Sequence, residues 1–308
     1  MAQHSLEWQD TFPEACRGGA VAVGNFDGVH RGHAALLAEL RRQARELGGP
    51  AVALTFDPHP LELLRPDQLM PPLTTVPERV RLLHELGADH VVLLRTTPSL
   101  LALSPAEFFD RVLRERLAVR AVVEGRNFRF GRKREGDVET LARLCREAGV
   151  ACTVVPPLLA GATAVSSSGV RAALLSGDVA EAAALLGRPY RLTGMVGTGA
   201  RRGRTIGFPT ANLERLETLV PADGVYSVRA TVDDSTYRGA ANVGTNPTFG
   251  EKARKVEVHL IDFAGDLYER PLAVDFVRRL RDTRPFASVQ ELVEQLRRDV
   301  EQARAETE

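Results

Sequence analysis

The sequence predicts an α/β unit built on a parallel sheet, followed by an antiparallel β-barrel that ends in a helix. Three observations carry this. In the first half, short apolar runs alternate with stretches of helical periodicity. Past Ser168 the runs are instead separated by Gly, Pro, Asn and Asp. The C-terminal stretch then returns to a helical stripe.

The first-half strands are expected at Ala20–Val23, Ala51–Thr55, His90–Leu94, Ala121–Val123 and Cys152–Val155. Helices are expected between them at Gly32–Leu47, Pro77–Leu86, Pro105–Leu117 and Asp137–Ala148. Strands that alternate with helices make a parallel sheet with both faces covered, and ligands then sit beyond the carboxyl ends of the strands. The loops that follow these strands are where chemistry is expected.

Two short helices, Gly169–Leu175 and Val179–Leu186, lead to the turn Gly187-Arg188-Pro189. Beyond it, Tyr190–Val196, Val225–Val232, Tyr237–Val243, Val256–Phe263 and Leu272–Phe276 read as antiparallel strands. In Ser288–Ala303, Ser288 and Glu291 form a capping box, and Val289, Leu292, Val293, Leu296 and Val300 form one apolar stripe. These boundaries divide the chain into domains 1-186 and 187-308.

The 308 residues fit about two domains, and 44% hydrophobic with 26% charged residues is ordinary for a well-cored protein. The formal net charge is zero, which argues against a nucleic-acid-coating protein, since that needs uncompensated Lys and Arg. Cys16, Cys145 and Cys152 form no C-x-x-C pair, so neither a disulfide framework nor a zinc knuckle is expected. Cys145 and Cys152 sit among apolar residues and read as core. The start MAQHSLEWQD has neither the basic nor the apolar region of a leader, and no apolar run reaches spanning length. The expectation is a soluble, cytoplasmic protein with no membrane or nucleic-acid partner.

The sharpest string of the first half is Gly24-Asn25-Phe26-Asp27-Gly28-Val29-His30-Arg31-Gly32-His33. It follows the first expected strand and opens the first helix, where free amides and the helix dipole favour an anion. Gly24, Gly28 and Gly32 permit tight turning and close backbone approach. His30 and His33, three apart, can face one ligand and donate hydrogen bonds to a phosphoryl transition state. The plainer alternative is that both satisfy local backbone groups. A zinc site has no obvious third ligand. Asn127 offers a donor and an acceptor suited to a ribose or base, or else an Asx-turn. Ser166 and Ser167 supply hydroxyls and Arg171 a planar cation for polyphosphate, although a serine run is by itself a common helix cap. His59 lies between two prolines, either lining a pocket or purely structural.

The ten-residue string resembles the H-x-G-H nucleotidylyltransferases, which transfer AMP from ATP and release pyrophosphate. In its full length it resembles the version in bacterial bifunctional riboflavin kinase/FAD synthetases. Phe56-Asp57-Pro58-His59-Pro60, Gly125-Arg126-Asn127-Phe128-Arg129-Phe130-Gly131 and Ser166-Ser167-Ser168-Gly169-Val170-Arg171 resemble further segments of that family. Ser168 and Val170 stand where the family usually has Thr and Ile. The resemblance implies a Rossmann-like nucleotidylyltransferase domain, with His30 and His33 catalytic. It places ATP at Gly24, Asn25, Phe26, Asn127, Ser166, Ser167 and Arg171, and the flavin at Phe56, Pro58 and His59.

In the second half, Gly203 and Gly207 punctuate a loop whose amides can wrap phosphates. Thr210 and Asn212, two apart in an extended segment, point the same way and can meet one hard cation. The string Gly203-Arg204-Thr205-Ile206-Gly207-Phe208-Pro209-Thr210-Ala211-Asn212-Leu213 resembles the riboflavin kinase module. So do Pro221–Tyr226, Asn242–Phe249 and Val256–Phe263 with Gly265–Tyr268. The resemblance implies ATP at Gly203, Gly207, Thr210 and Asn212, and Mg²⁺ held by Thr210 and Asn212. It also implies flavin contact at Asn246 and Glu257 as the general base, whose plainer alternative is an exposed, ion-paired strand carboxylate. Glu269 stands where the family usually has Gly, and Thr283 where Glu is common.

The combined expectation is a two-site enzyme that phosphorylates riboflavin to FMN and then adenylylates FMN to FAD, with ATP as co-substrate in both steps. Three alternatives stay open: a nucleotidylyltransferase for another cofactor precursor, a catalytically silent flavin-binding regulator, and an RNA-linked synthetase.

Overall fold

The computed structural model describes residues 2–68, 70–161, 163–198, 206–233, 235–246 and 251–305; of residues 246 and 251–253 it describes the backbone alone. Packing divides the chain into two compact units. One comprises Met1–Met70 and Thr74–Val165, the other Pro71–Leu73 and Ser166–Glu308.

The first unit is a six-stranded parallel sheet. Its strands are β1 (Ala2–Leu6), β2 (Ala20–Val23), β3 (Ala51–Asp57), β4 (His90–Arg95), β5 (Ala121–Gly125) and β6 (Ala151–Val155). They are ordered β1-β4-β3-β2-β5-β6. Residues of β2 through β5 are almost wholly buried because helices cover both faces. The main helices are α1 (Arg31–Leu47), a short α2 (Pro60–Leu64), α3 (Val76–Glu85), short α4 (Pro98–Leu101) and α5 (Pro105–Glu107), and α6 (Val138–Ala148). Two apolar clusters form the core, one under Phe12, Phe109 and Leu113, the other under Leu37, Leu40 and Leu83.

Strand order reverses at β2: β3 and β4 follow on one side, β5 and β6 on the other. In open α/β sheets such a reversal leaves a crevice at the carboxyl ends of the strands, and that is where ligands bind. The two loops flanking it, after β2 and after β5, carry the Gly24–His33 and Gly125–Gly131 strings.

Three expectations change. β1 has no apolar run, being Ala-Gln-His-Ser-Leu; it is an edge strand half-buried on alternate residues, so pairing with β4 rather than composition makes it a strand. The helix expected over Pro105–Leu117 is α5 followed by a π-helical stretch, Phe108–Arg116. There Phe108, Phe109, Val112 and Leu113 are all buried, a spacing that the wider turn brings to one face. Cys152 is half-buried against buried Cys145, whose thiol hydrogen-bonds to it and draws Cys152 down to about 7.

The second unit opens with α7 (Ser167–Ser176) and α8 (Val179–Leu186), followed by a closed six-stranded barrel. In the first unit, before these, a two-residue hairpin pairs β7 (Leu159–Ala160) with β8 (Thr163–Ala164). The barrel strands are β9 (Tyr190–Gly197), β10 (Ala211–Glu214), β11 (Gly224–Val232), β12 (Ser235–Asn246), β13 (Glu251–Leu260) and β14 (Pro271–Arg281). They close in the order β10-β13-β12-β11-β14-β9. Alternate residues such as Ala211, Leu213, Val256 and Val258 fill the interior, while Asn212 and Glu257 face the other way. β10 lies inside the glycine-loop string, too short to read as a strand. β13 ends at Leu260 rather than Phe263, because Asp262 turns the chain at φ 59°.

The last helix is α9 (Val289–Ala305). Ser288 Oγ accepts from Glu291 N at 3.2 Å, but the Glu291 carboxylate reaches Ala287 N at 3.1 Å, one residue earlier than a capping box requires. The apolar stripe is only half covered. The helix is anchored instead by Asp299, 1% exposed, which accepts two hydrogen bonds from Arg281 at 2.9 and 2.7 Å.

Candidate active sites

At the mouth of α1 the backbone turns sharply: Phe26, Gly28 and Val29 all have positive φ, at 47°, 79° and 41°. For a bulky Phe and a β-branched Val this is costly, and such strain persists where surrounding structure imposes it. The bracing is visible. Thr55 Oγ1 donates to Asn25 O at 3.2 Å, and Gly28 N donates to Thr74 Oγ1 at 3.2 Å. Thr74 donates its amide to Asp27 Oδ1 at 3.2 Å, and Arg79 stands 3.9 Å from the same oxygen.

His30 is the N-cap of α1, its Nδ1 accepting from His33 N at 3.3 Å. The local-backbone role is therefore filled, and it fixes the neutral tautomer: Nδ1 accepts, so Nε2 carries the proton. The His33 ring stacks on His30 with centroids 3.7 Å apart. A side chain between them would interfere, since a Cβ on Gly32 would lie 3.0 Å from His30 Cε1 and Nδ1. That is the physical need for glycine in this motif. Enclosure, with His30 and the Arg79 guanidinium alongside, holds the His33 ring well below the usual imidazole range, so it is neutral at pH 7. Its Nδ1 is sealed with no hydrogen-bond partner among the described residues.

Phe56, near the end of β3, and Pro58, just after it, are half-buried, and His59 caps α2, its Nδ1 accepting from Leu61 N at 3.1 Å. Asn127 is exposed in the turn after β5 and makes no Asx-turn. Ser166 caps α7, accepting from Gly169 N at 3.1 Å; Ser167 and Arg171 lie on its first turns. These three belong by packing to the second unit, His30 and His33 to the first.

In the barrel, Asn212 on β10 is paired directly with Glu257 on β13, and Asn242 on β12 with the other side of Glu257. Directly opposed residues of an antiparallel pair carry side chains about 4.5–5.5 Å apart at Cβ. Thr210, just before β10, lines a cleft of about 270 Å³ together with Phe263 and the Gly265–Tyr268 turn. His259, two residues from Glu257, has its Nδ1 2.8 Å from Pro209 O, which ties β13 to this approach. Gly207 has φ 85°, a conformation glycine adopts freely. Gly203 and the side chain of Asn246 lie outside the described residues. Glu269 has φ 59° and is exposed, so it stands in a left-handed backbone position that favours glycine. Thr283 is half-buried.

Sequence reasoning passed over three groups. Glu124 sits inside an apolar strand, 2% exposed, and its Oε1 accepts from Val23 N at 2.6 Å, tying β5 to β2 beside the crevice. Burial pushes its carboxyl well above the usual range. Thr74 and Arg79 lie in and before a helix that carried no motif; only their approach to the Asp27 loop singles them out.

Fold and site together define the class: a nucleotidylyltransferase-type α/β unit joined to a kinase-type β-barrel. The FAD synthetase family profile matches residues 12–169, and the riboflavin kinase profile matches residues 186–307. The bifunctional riboflavin kinase/FMN adenylyltransferase of Pseudomonas fluorescens is 40% identical over 296 residues, covering 94% of this chain and 93% of that protein. The protein of the same description from Escherichia coli K12 is 39% identical over 283 residues, covering 92% and 90%. A solved structure described as a macrolide-efflux protein from Streptococcus pneumoniae superposes over 100% of both chains, with TM-score 0.90 and 34% identity. No helix among the described residues is long and apolar enough to cross a membrane. The chain belongs to the bifunctional riboflavin kinase/FMN adenylyltransferase family.

Proposed function

We propose that the chain phosphorylates riboflavin with ATP to give FMN and ADP, and then transfers AMP from a second ATP to FMN to give FAD and pyrophosphate. Presence of both constellations in one chain carries this reading: the stacked His30–His33 pair at a helix mouth and the Asn212–Glu257 pair across a barrel. We assign the first reaction to module 187-308 and the second, with the helices α7 and α8, to module 1-186.

In the kinase step the riboflavin 5′-hydroxyl oxygen attacks the γ-phosphorus, the bond to the β-phosphate oxygen breaks, and ADP leaves. Glu257 accepts the hydroxyl proton. Gly203 and Gly207 offer amides to the phosphates, and Asn246 contacts the flavin. Thr210 and Asn212 supply hard oxygen donors beside a carboxylate, a set that fits Mg²⁺, which when bound offsets charge on the ATP phosphates.

In the adenylyl step a phosphate oxygen of FMN attacks the α-phosphorus and the bond to the departing pyrophosphate breaks. His30 Nε2–H and the neutral His33 ring stabilise the crowded oxygens, and the buried Arg79 cation holds the loop that positions them. Gly24, Asn25, Phe26 and Asn127 cradle the nucleotide. Ser166, Ser167 and Arg171 hold the pyrophosphate, while Phe56, Pro58 and His59 line the flavin side. No covalent enzyme intermediate is needed, because positioning and charge stabilisation lower the barrier.

The test is chromatography of products after the purified chain is mixed with riboflavin, ATP and Mg²⁺. FMN and FAD should both accumulate. FMN alone would remove the adenylyl assignment, FAD only from supplied FMN would remove the kinase assignment, and flavin binding without ATP turnover would support a silent regulator.

A further inference from the structure

At the edge of the parallel sheet, outside both motifs, three metal-ligating side chains meet. His4 lies on β1 with its inward-facing residues Ala2 and Leu6. His90 is the first residue of β4, opposite Ala2 in the parallel register. Alternation puts Ala2 and His4, and His90 and Val92, on the same face. Cys16 ends the 3₁₀ turn Glu14–Cys16 and is 1% exposed. It packs in the cluster that contains Val92 and Leu94, beneath that same face.

The distances are those of a coordination shell. His4 Nε2 is 3.4 Å from His90 Nδ1. The Cys16 sulfur and one nitrogen of each ring all lie within 4.8 Å of one another. Zn²⁺ binds imidazole nitrogen at about 2.0–2.1 Å and thiolate sulfur at about 2.3 Å, so tetrahedral edges are about 3.3 Å between nitrogens and about 3.6 Å from nitrogen to sulfur. The nitrogen pair is already at that spacing, and the sulfur needs a shift of about 1 Å at most.

We propose that His4, Cys16 and His90 form a binding site for a soft or borderline transition-metal ion, Zn²⁺ foremost, which clamps the edge strand β1 and the Cys16 turn onto β4. Two imidazoles and a thiolate select such an ion over Mg²⁺ or Ca²⁺, which prefer all-oxygen shells. Three protein ligands leave a fourth position for water.

A neutral imidazole offers the lone pair of its unprotonated nitrogen to an ion. An incoming ion takes the cysteine as thiolate, and its binding expels the thiol proton. The site sits at the amino end of β4, whereas the candidate catalytic loops follow carboxyl ends. Its role is therefore structural, and its test does not depend on turnover.

The experiment uses the full chain, stripped with a chelator, free of nucleotide, and titrated with Co²⁺ as a spectroscopic stand-in for Zn²⁺. The expected result is one equivalent bound, with a thiolate-to-cobalt charge-transfer band and the strong visible bands of tetrahedral cobalt. Zn²⁺ should displace it and raise the unfolding midpoint reported by Trp8, the chain's single tryptophan, in the same unit. Cys16→Ser should abolish the charge-transfer band, while Cys152→Ser should leave it intact. His4→Gln and His90→Gln should each weaken binding by about tenfold or more. A band that survives Cys16→Ser, a band lost in Cys152→Ser, or no stoichiometric uptake would overturn the site. If Cys16→Ser fails to fold, the two half-exposed histidine variants decide: unchanged cobalt affinity in both rejects it.

Discussion

Glu257 on β13 faces Asn212 on β10 as a directly opposed residue, with Asn242 of β12 aligned on its far side. The arrangement sets a carboxylate beside two amides on one barrel face. Glu257→Gln keeps the shape and removes the base. Conversion of riboflavin to FMN should fall by about 10²–10⁴-fold, the usual worth of general base catalysis. FAD formation from supplied FMN should be unchanged. Equal loss of both reactions in a folded variant would contradict two independent sites.

Gly32 tests the other site without touching a titratable group. A methyl at Gly32 would crowd His30 Cε1 and Nδ1 at 3.0 Å and displace the ring. Gly32→Ala should slow adenylyl transfer by about 10–100-fold, since misplacement on the order of 1 Å costs that much. Steady-state kinase rates should not change, and His30→Ala should share this selective pattern.

His33 makes stability depend on pH. Its folded-state proton affinity lies well below that of an unfolded histidine, near 6.5. As pH falls through 6.5 the unfolded chain takes up a proton that the folded chain refuses, so stability is lost on acidification from that point downward. Urea unfolding of the first unit, followed by Trp8 fluorescence from pH 7.5 to pH 5 (chosen to bracket that value), should show this decline. His33→Phe should flatten the curve; an unchanged slope would rule His33 out as its source.

Glu269 occupies a left-handed position at φ 59° and is exposed. Glu269→Gly relieves about 1–2 kcal/mol of backbone strain and returns part of it through unfolded-chain entropy. Net stabilisation of about 0.5–1 kcal/mol should appear as a higher urea midpoint. A lower midpoint would show that the glutamate side chain contributes more than its backbone costs.

Asp299 fixes α9 to the barrel through its two bonds from Arg281. Asp299→Ala leaves a largely covered guanidinium without its carboxylate, and stability should drop by about 2–3 kcal/mol. Arg281→Met combined with Asp299→Leu should recover most of that loss, because the cost arises from the stranded charge. Both are read from denaturant midpoints.

Much of this protein is legible locally. Five of the six parallel strands and the loops after them follow from apolar runs bounded by glycine. The helix mouth at His30 follows from a short string whose glycine spacing only a turn into a helix satisfies. Family membership was equally readable, since the Gly24–His33 and Gly203–Leu213 strings specify backbone shape and chemistry together. What failed locally was β1, whose five residues become a strand only because β4 offers an edge.

The sequence alone determined which residue types stand ready for phosphate, since capping, glycine conformation and strand alternation act over a few residues. Only the tertiary structure decided that Asn212 lies opposite Glu257, that Arg79 and Thr74 brace the Asp27 loop, that Glu124 ties β5 to β2, and that His4, Cys16 and His90 converge. Those relations arise from register and packing between residues far apart in the chain, and no local pattern encodes a distance across space.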